Sequence, residues 1–93
     1  MINQKRIEYS HTFNKQLIKA PLDIKIAFRK RFELFLRDTL HPQLHNHQLK
    51  GKYQGTKSIN ITGDWRALYT EKSRNSQTIV TFELLGTHNQ LYR

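Results

Sequence analysis

Ile24, Phe28, Phe32, Phe35 and Leu36 recur at helical spacing and stop short of His41-Pro42. A stripe with that period has to lie on one side of a helix and needs a core to bury it. Pro21 suits the first turn of such a helix, where a missing N–H costs nothing. The residue before a proline avoids helical dihedrals, so the helix is expected to end near Leu40. Upstream, Phe13, Leu17 and Ile18 give the apolar face of a shorter helix. Ser10 or Thr12 would cap it, and it would run to about Ala20. Lys25, Arg29, Lys30 and Arg37 fall mainly off the stripe. Arg29-Lys30-Arg31 reads first as a solvated helix face, and only second as a phosphate site.

The rest of the chain carries a period of two. Residues 2–9 mix Ile2, Ile7 and Tyr9 with polar partners and read as a first strand. Residues 56–62 alternate, with Ile59 and Ile61 on one face and Ser58, Asn60 and Thr62 on the other. Gly63 supports a tight hairpin turn, and Asp64 begins the next strand, over 64–70. There Trp65, Ala67 and Tyr69 lie opposite Arg66 and Leu68. Arg74-Asn75-Ser76 is a polar turn. Residues 78–85 form a strongly apolar strand, ended by Gly86, with 87–93 as a short tail. The expected fold is α+β in the order β-α-α-β-β-β, one domain over 1–93. Two N-terminal helices would pack on one face of a small, mainly antiparallel sheet, leaving the other face open.

Charge narrows the partner class. Sixteen Lys and Arg against seven Asp and Glu give a formal net charge of +9, which draws in polyanions. Nucleic acid is the leading expectation; a membrane surface is not, because the helices lack an extended basic amphipathic pattern. No apolar run would cross a bilayer, and the first residues lack the apolar core of a signal peptide. The absence of cysteine excludes disulfide and thiolate chemistry and suits a cytoplasmic protein. Zinc wants four convergent ligands; His41, His45 and His47 with neither Cys nor H-E-x-x-H do not supply them, so no metal and no cofactor are expected. Gly51 and Gly55 are too sparse for a phosphate-cradling loop.

A polar set at the ends of the C-terminal elements remains: His47, Asn60, Asp64, Arg66, His88 and Tyr92. RNA cleavage without a metal needs such a set. A base takes the 2′-hydroxyl proton, a cation stabilises the charge gathering at phosphorus, and an acid protonates the leaving 5′-oxygen. Histidine titrates near neutrality, a neighbouring carboxylate can fix its tautomer, and tyrosine can stack on a base. Bland readings stand beside these. His41 and His45 flank a loop proline and read as solvated, Trp65 reads as core, and Asp64 reads equally as a turn residue.

Three stretches sharpen the choice: His47-Gln48-Leu49-Lys50-Gly51, Ser58 to Tyr69 with Gly63-Asp64-Trp65 at its centre, and Gly86-Thr87-His88-Asn89-Gln90-Leu91-Tyr92. Together they resemble the YafQ branch of the RelE/ParE toxin superfamily, as does the element order. The resemblance implies the toxin of a type II toxin–antitoxin pair, a metal-independent endoribonuclease that cuts mRNA on the ribosome and leaves a 2′,3′-cyclic phosphate. It implies His47, Asp64 and His88 as active-site residues, with His88 the main proton-transfer group and Tyr92 orienting the nucleotide. Asn60 falls where the YafQ pattern has a further histidine, and asparagine exchanges no proton near neutral pH. Arg66 is expected to supply fixed charge in compensation, and Lys50, Lys52 and Lys57 to bind RNA phosphates. The expected partners are mRNA, the ribosome and a cognate antitoxin. Two other readings stay open: a gyrase inhibitor in the manner of ParE toxins, and an inactive member that only binds antitoxin or RNA.

Overall fold

The computed structural model describes residues 4–92. Strand β1 (Gln4–Tyr9) leads into helices α1 (His11–Lys19) and α2 (Leu22–Arg37). A two-residue strand β2 (His47–Gln48) follows, then β3 (Lys57–Asn60), β4 (Trp65–Arg74), β5 (Gln77–Thr87) and the one-turn helix α3 (His88–Leu91). One-turn 3-10 helices flank β2, at Pro42–Leu44 and Gly51–Tyr53. The sheet order is β1-β5-β4-β3-β2, with β1 parallel to β5 and every other pair antiparallel. The α+β class and the helices on one sheet face are as expected; Ile2, read into the first strand, lies outside the described residues.

Local chemistry explains the element ends. Ser10 is the cap of α1: its Oγ accepts the Phe13 N–H at 2.9 Å. The second helix stops at Arg37, three residues short of Leu40. Asp38 turns extended there, and its Oδ1 accepts the Leu40 N–H. The Arg74–Gln77 hairpin places Asn75 and Ser76 at φ +50° and +63°. Two consecutive positive values match the twist of the long β4–β5 ribbon, which is why it turns in two residues. Both strands are longer than the alternation indicated, and Gly86 lies inside β5.

Phe82 is the centre of the core. The rings of Tyr9, Phe13, Phe28, Phe32, Phe35 and Tyr69 all lie 5.6–5.9 Å from it. Edge and tilted packing at such distances adds to the area these rings bury. Trp65 packs against the same core. Two expected core residues do not reach it: Ile18 and Leu36 are 72% and 48% exposed. They flank the helical stripe and line a groove with Leu17, Ile26 and Phe32.

A β-bulge determines which residues meet on the second face. Opposite Leu68 and Tyr69 the register of β5 skips from Leu84 to Phe82, so Glu83 is the extra residue. Before the bulge Val80 and Phe82 point at the helices; after it Leu85 does, paired with Ala67. Gly86 is thereby turned to the second face, beside Arg66. That face is not left open along its length. Leu68, Leu91 and Ser58 are buried, and Leu91 lies over Gly86.

Candidate active site

Strand pairing assembles the second face in two rows. One row is His47, Ser58, Leu68 and Leu84; the next is Asn60, Arg66 and Gly86. Alternation sends all of these side chains to the same side. At the end of β5 the chain turns into α3, which brings His88 and Tyr92 to the far border. Strands β2 and β5 are three strand spacings apart, about 14 Å. His47 and His88 thus border one strip of the second face, the trough, with Asn60 and Arg66 between them.

At the β5 border, α3 is held from several directions. Thr87 Oγ1 accepts the Gln90 N–H at 3.1 Å, and Gln90 Oε1 accepts the Thr87 N–H at 2.9 Å, a reciprocal capping box. The His88 N–H donates to the Asp64 carbonyl at 2.9 Å. The Tyr92 ring lies 4.7 Å from the His88 imidazole, tilted by 43°. Both the His88 and Asp64 side chains are exposed.

Asp64 sits in the turn between β3 and β4 and does not begin β4. Thr62 Oγ1 accepts the N–H groups of Asp64 and Trp65 at 3.3 and 3.1 Å. Arg66 Nη1 closes the same turn from the floor, donating to the carbonyls of Thr62, Gly63 and Trp65 at 3.0–3.2 Å. This nitrogen is thus engaged with the protein backbone. Next to Arg66, Asn60 Oδ1 is buried without a hydrogen-bond partner, and Ser58 Oγ two residues back is in the same state. Both oxygens are shut away from solvent, so each costs the fold some desolvation energy there.

At the β2 border, His47 Nδ1 lies 2.8 Å from the His45 carbonyl. A carbonyl only accepts, so Nδ1 carries the proton and the neutral ring keeps its lone pair on Nε2. His45 is held at φ +44°, with its ring 4.7 Å from that of His47. His41 has a local duty: its Nδ1 accepts the Gln43 N–H.

The lysines separate. Lys50 precedes the 51–53 turn and is exposed. Lys52 Nζ lies 5.1 Å over the Tyr53 ring. Lys57, expected at the phosphates, shares the helix-side face with Ile59 and is ion-paired with Glu71. The trough therefore does not include it, because alternation places it opposite Ser58 and Asn60.

The comparisons with known proteins decide the family. The family model described as "Bacterial toxin of type II toxin-antitoxin system, YafQ" matches residues 5–93. The chain belongs to the YafQ toxin family. Among solved structures it is similar to YafQ of E. coli BL21(DE3), with TM-score 0.79 and 23% identity over 97% of this chain and 100% of that one. It is similar to YafQ in the E. coli DinJ–YafQ toxin–antitoxin complex, with TM-score 0.76 and 24% identity over 97% and 99%. A YoeB/ParE toxin from Agrobacterium tumefaciens shares the fold at TM-score 0.71 and 14% identity over 89% and 98%. A search of curated protein sequences gave no significant match.

Seen as a YafQ-family toxin, the chain distributes its motif residues around one trough: His47 on β2, Asn60 on β3, Asp64 on the turn, His88 on α3 and Tyr92 just after it. One residue at the trough escaped the sequence reading. Tyr53 donates its hydroxyl to the Leu91 carbonyl at 2.6 Å and meets the Tyr92 ring edge-on at 5.7 Å. An aromatic directly after Lys50-Gly51-Lys52 was the available signal, since basic and aromatic residues interleave where nucleic acid binds.

Proposed function

We propose that this chain is an endoribonuclease toxin that cleaves mRNA on the ribosome. The observation that carries the reading is the clustering of His88, Asp64 and Tyr92 at one border of a trough whose other border holds His47. An RNA strand laid in the trough would have imidazoles at both flanks. In the neutral tautomer, His47 Nε2 accepts a proton. His88 in its protonated form donates one. In this mechanism a base removes the 2′-hydroxyl proton, and the 2′-oxygen attacks the adjacent phosphorus. The P–O5′ bond breaks as His88 protonates the leaving oxygen, giving a 2′,3′-cyclic phosphate and a 5′-hydroxyl. Asp64 orients His88, whose N–H its carbonyl accepts. Tyr92 orients the nucleotide, and Lys50 and Lys52 attract the backbone. Asn60 hydrogen-bonds substrate and moves no proton.

The family membership and the solved DinJ–YafQ complexes support a cognate antitoxin as partner. A net charge of +9 favours an antitoxin segment with the opposite sign. The proposed compartment is the cytoplasm, where translating ribosomes are found; among the described residues no helix is long and apolar enough to cross a membrane. The reading is tested by expression without antitoxin: growth should arrest with mRNAs cut, and His88→Ala should relieve both. Arrest with intact mRNAs and a DNA-damage response would instead favour gyrase poisoning.

A further inference from the structure

We propose that Tyr53 is a positioning residue for His88, acting through Tyr92 and the C-terminal end of α3. A four-residue helix is too short to hold itself together. Its last carbonyls also have no donor within the helix. Tyr53 meets that second need from 38 positions away in sequence, donating its phenol to the carbonyl of Leu91 at 2.6 Å. The same ring stands at 87° to the ring of Tyr92, with centroids 5.7 Å apart. Tyr92 in turn packs at 4.7 Å on His88. Two ring contacts therefore separate Tyr53 from the imidazole, and both are made by Tyr92.

The segment that presents Tyr53 is built for a fixed approach. Gly51 and Gly55 bracket it at φ +68° and +89°, values that side-chain-bearing residues rarely adopt. The 51–53 turn between them carries the phenol to α3. Lys52 lies over the Tyr53 ring, with its ammonium 5.1 Å from the centroid. A cation over the ring favours that ring orientation and keeps positive charge close to the α3 border. Thr87, Gln90 and the Asp64 carbonyl hold the start of α3, and Tyr53 holds its end. With both ends fixed, the backbone that carries the imidazole is held in place, and the Tyr92 ring packs against the imidazole itself.

This inference rests on the nuclease reading for its kinetic arm only. Tyr53→Phe removes the hydroxyl and keeps the ring; Tyr53→Leu removes both. In the free protein, nuclear magnetic resonance should show shifted His88 and Tyr92 ring resonances in Tyr53→Phe, and larger shifts in Tyr53→Leu. On ribosomes, Tyr53→Phe should lower kcat about fivefold, the effect of one lost neutral hydrogen bond, with KM within about twofold. A Tyr53→Phe protein that melts lower, yet keeps wild-type kcat and wild-type His88 resonances well below its melting range, would overturn the proposal. If Tyr53→Leu does not fold, Tyr53→Phe decides alone. Should His88→Ala leave cleavage intact, the nuclease reading fails, while the His88 resonances of Tyr53→Phe still decide the positioning role.

Discussion

The backbone N–H of His88 donates to the carbonyl of Asp64 at 2.9 Å, so the turn after β3 and the start of α3 are one hydrogen-bonded unit. Whatever moves that turn moves the first residue of α3. Two positions test the coupling from opposite sides.

Arg66 is the first. Its Nη1 ties three carbonyls of the turn, so Arg66→Ala should cost about 1–2 kcal/mol in urea unfolding, as bonds from a charged donor do when half exposed. Amide exchange at His88 should quicken with it. Arg66→Lys keeps the charge but not the planar fork, and should recover little of either effect. Full recovery by lysine would mean that charge, not the carbonyl clamp, is what Arg66 supplies.

Gly86 is the second. A Cβ there would lie 3.1 Å from Gln90 Oε1 and 3.4 Å from the Leu91 side chain. Gln90 is the reciprocal half of the capping box, so Gly86→Ala should push it off the Thr87 N–H. The expected loss is about 0.5–1 kcal/mol of stability, with a larger fall in cleavage rate because His88 is the first residue of the displaced helix. Parallel urea titrations and single-turnover cleavage would show the split. Equal effects on both would speak against it.

Alkaline pH offers a test far from the trough. Burial pushes the Tyr69 hydroxyl up to about 12, partly offset by its hydrogen bond to Asn46. The unfolded chain ionises this group near its ordinary value of 10. A folded pKa above the unfolded one means full stability below pH 10, lost as pH rises from 10 toward 12. Tyr69→Phe cannot ionise and should lose less between pH 8 and pH 11, read as urea midpoints. An identical decline in both proteins would remove Tyr69 as a cause.

Phe82 should be the costliest single position in the core. Phe82→Ala would empty the centre of the aromatic cluster, at about 3–5 kcal/mol. Domains of this kind hold about 5–15 kcal/mol in total, so circular dichroism should show a deeply lowered melting point or an unfolded chain. A shift of only a few degrees would show that the neighbouring rings can close the gap.

What could be read without coordinates follows from the range of each interaction. Ile24, Phe28 and Phe35 announce α2 because burial repeats with the helix period, and Ile59 and Ala67 announce the sheet core by alternation. Leu36 and Ile18 share that pattern, but its edges do not say how far round the helix the core reaches. Lys57 stands one residue from Ser58, so strict alternation assigns it to the helix side. The bulge at Glu83 has no local signature, and it decides that Gly86 faces Arg66. The α3 turn is too short for a period, although Thr87-x-x-Gln90 carries its capping signal. The contact of Tyr53 with Leu91 is set by the tertiary fold alone.

The central claim is that His88 carries proton transfer in RNA cleavage. Purified protein should be added to ribosomes paused on a defined mRNA, and the new 3′ ends analysed chemically. Cuts by the wild type should end in 2′,3′-cyclic phosphate, and His88→Ala should lose at least about a hundredfold in rate. Cleavage by His88→Ala at the wild-type rate would contradict the claim, as would an intact mRNA with the wild-type protein.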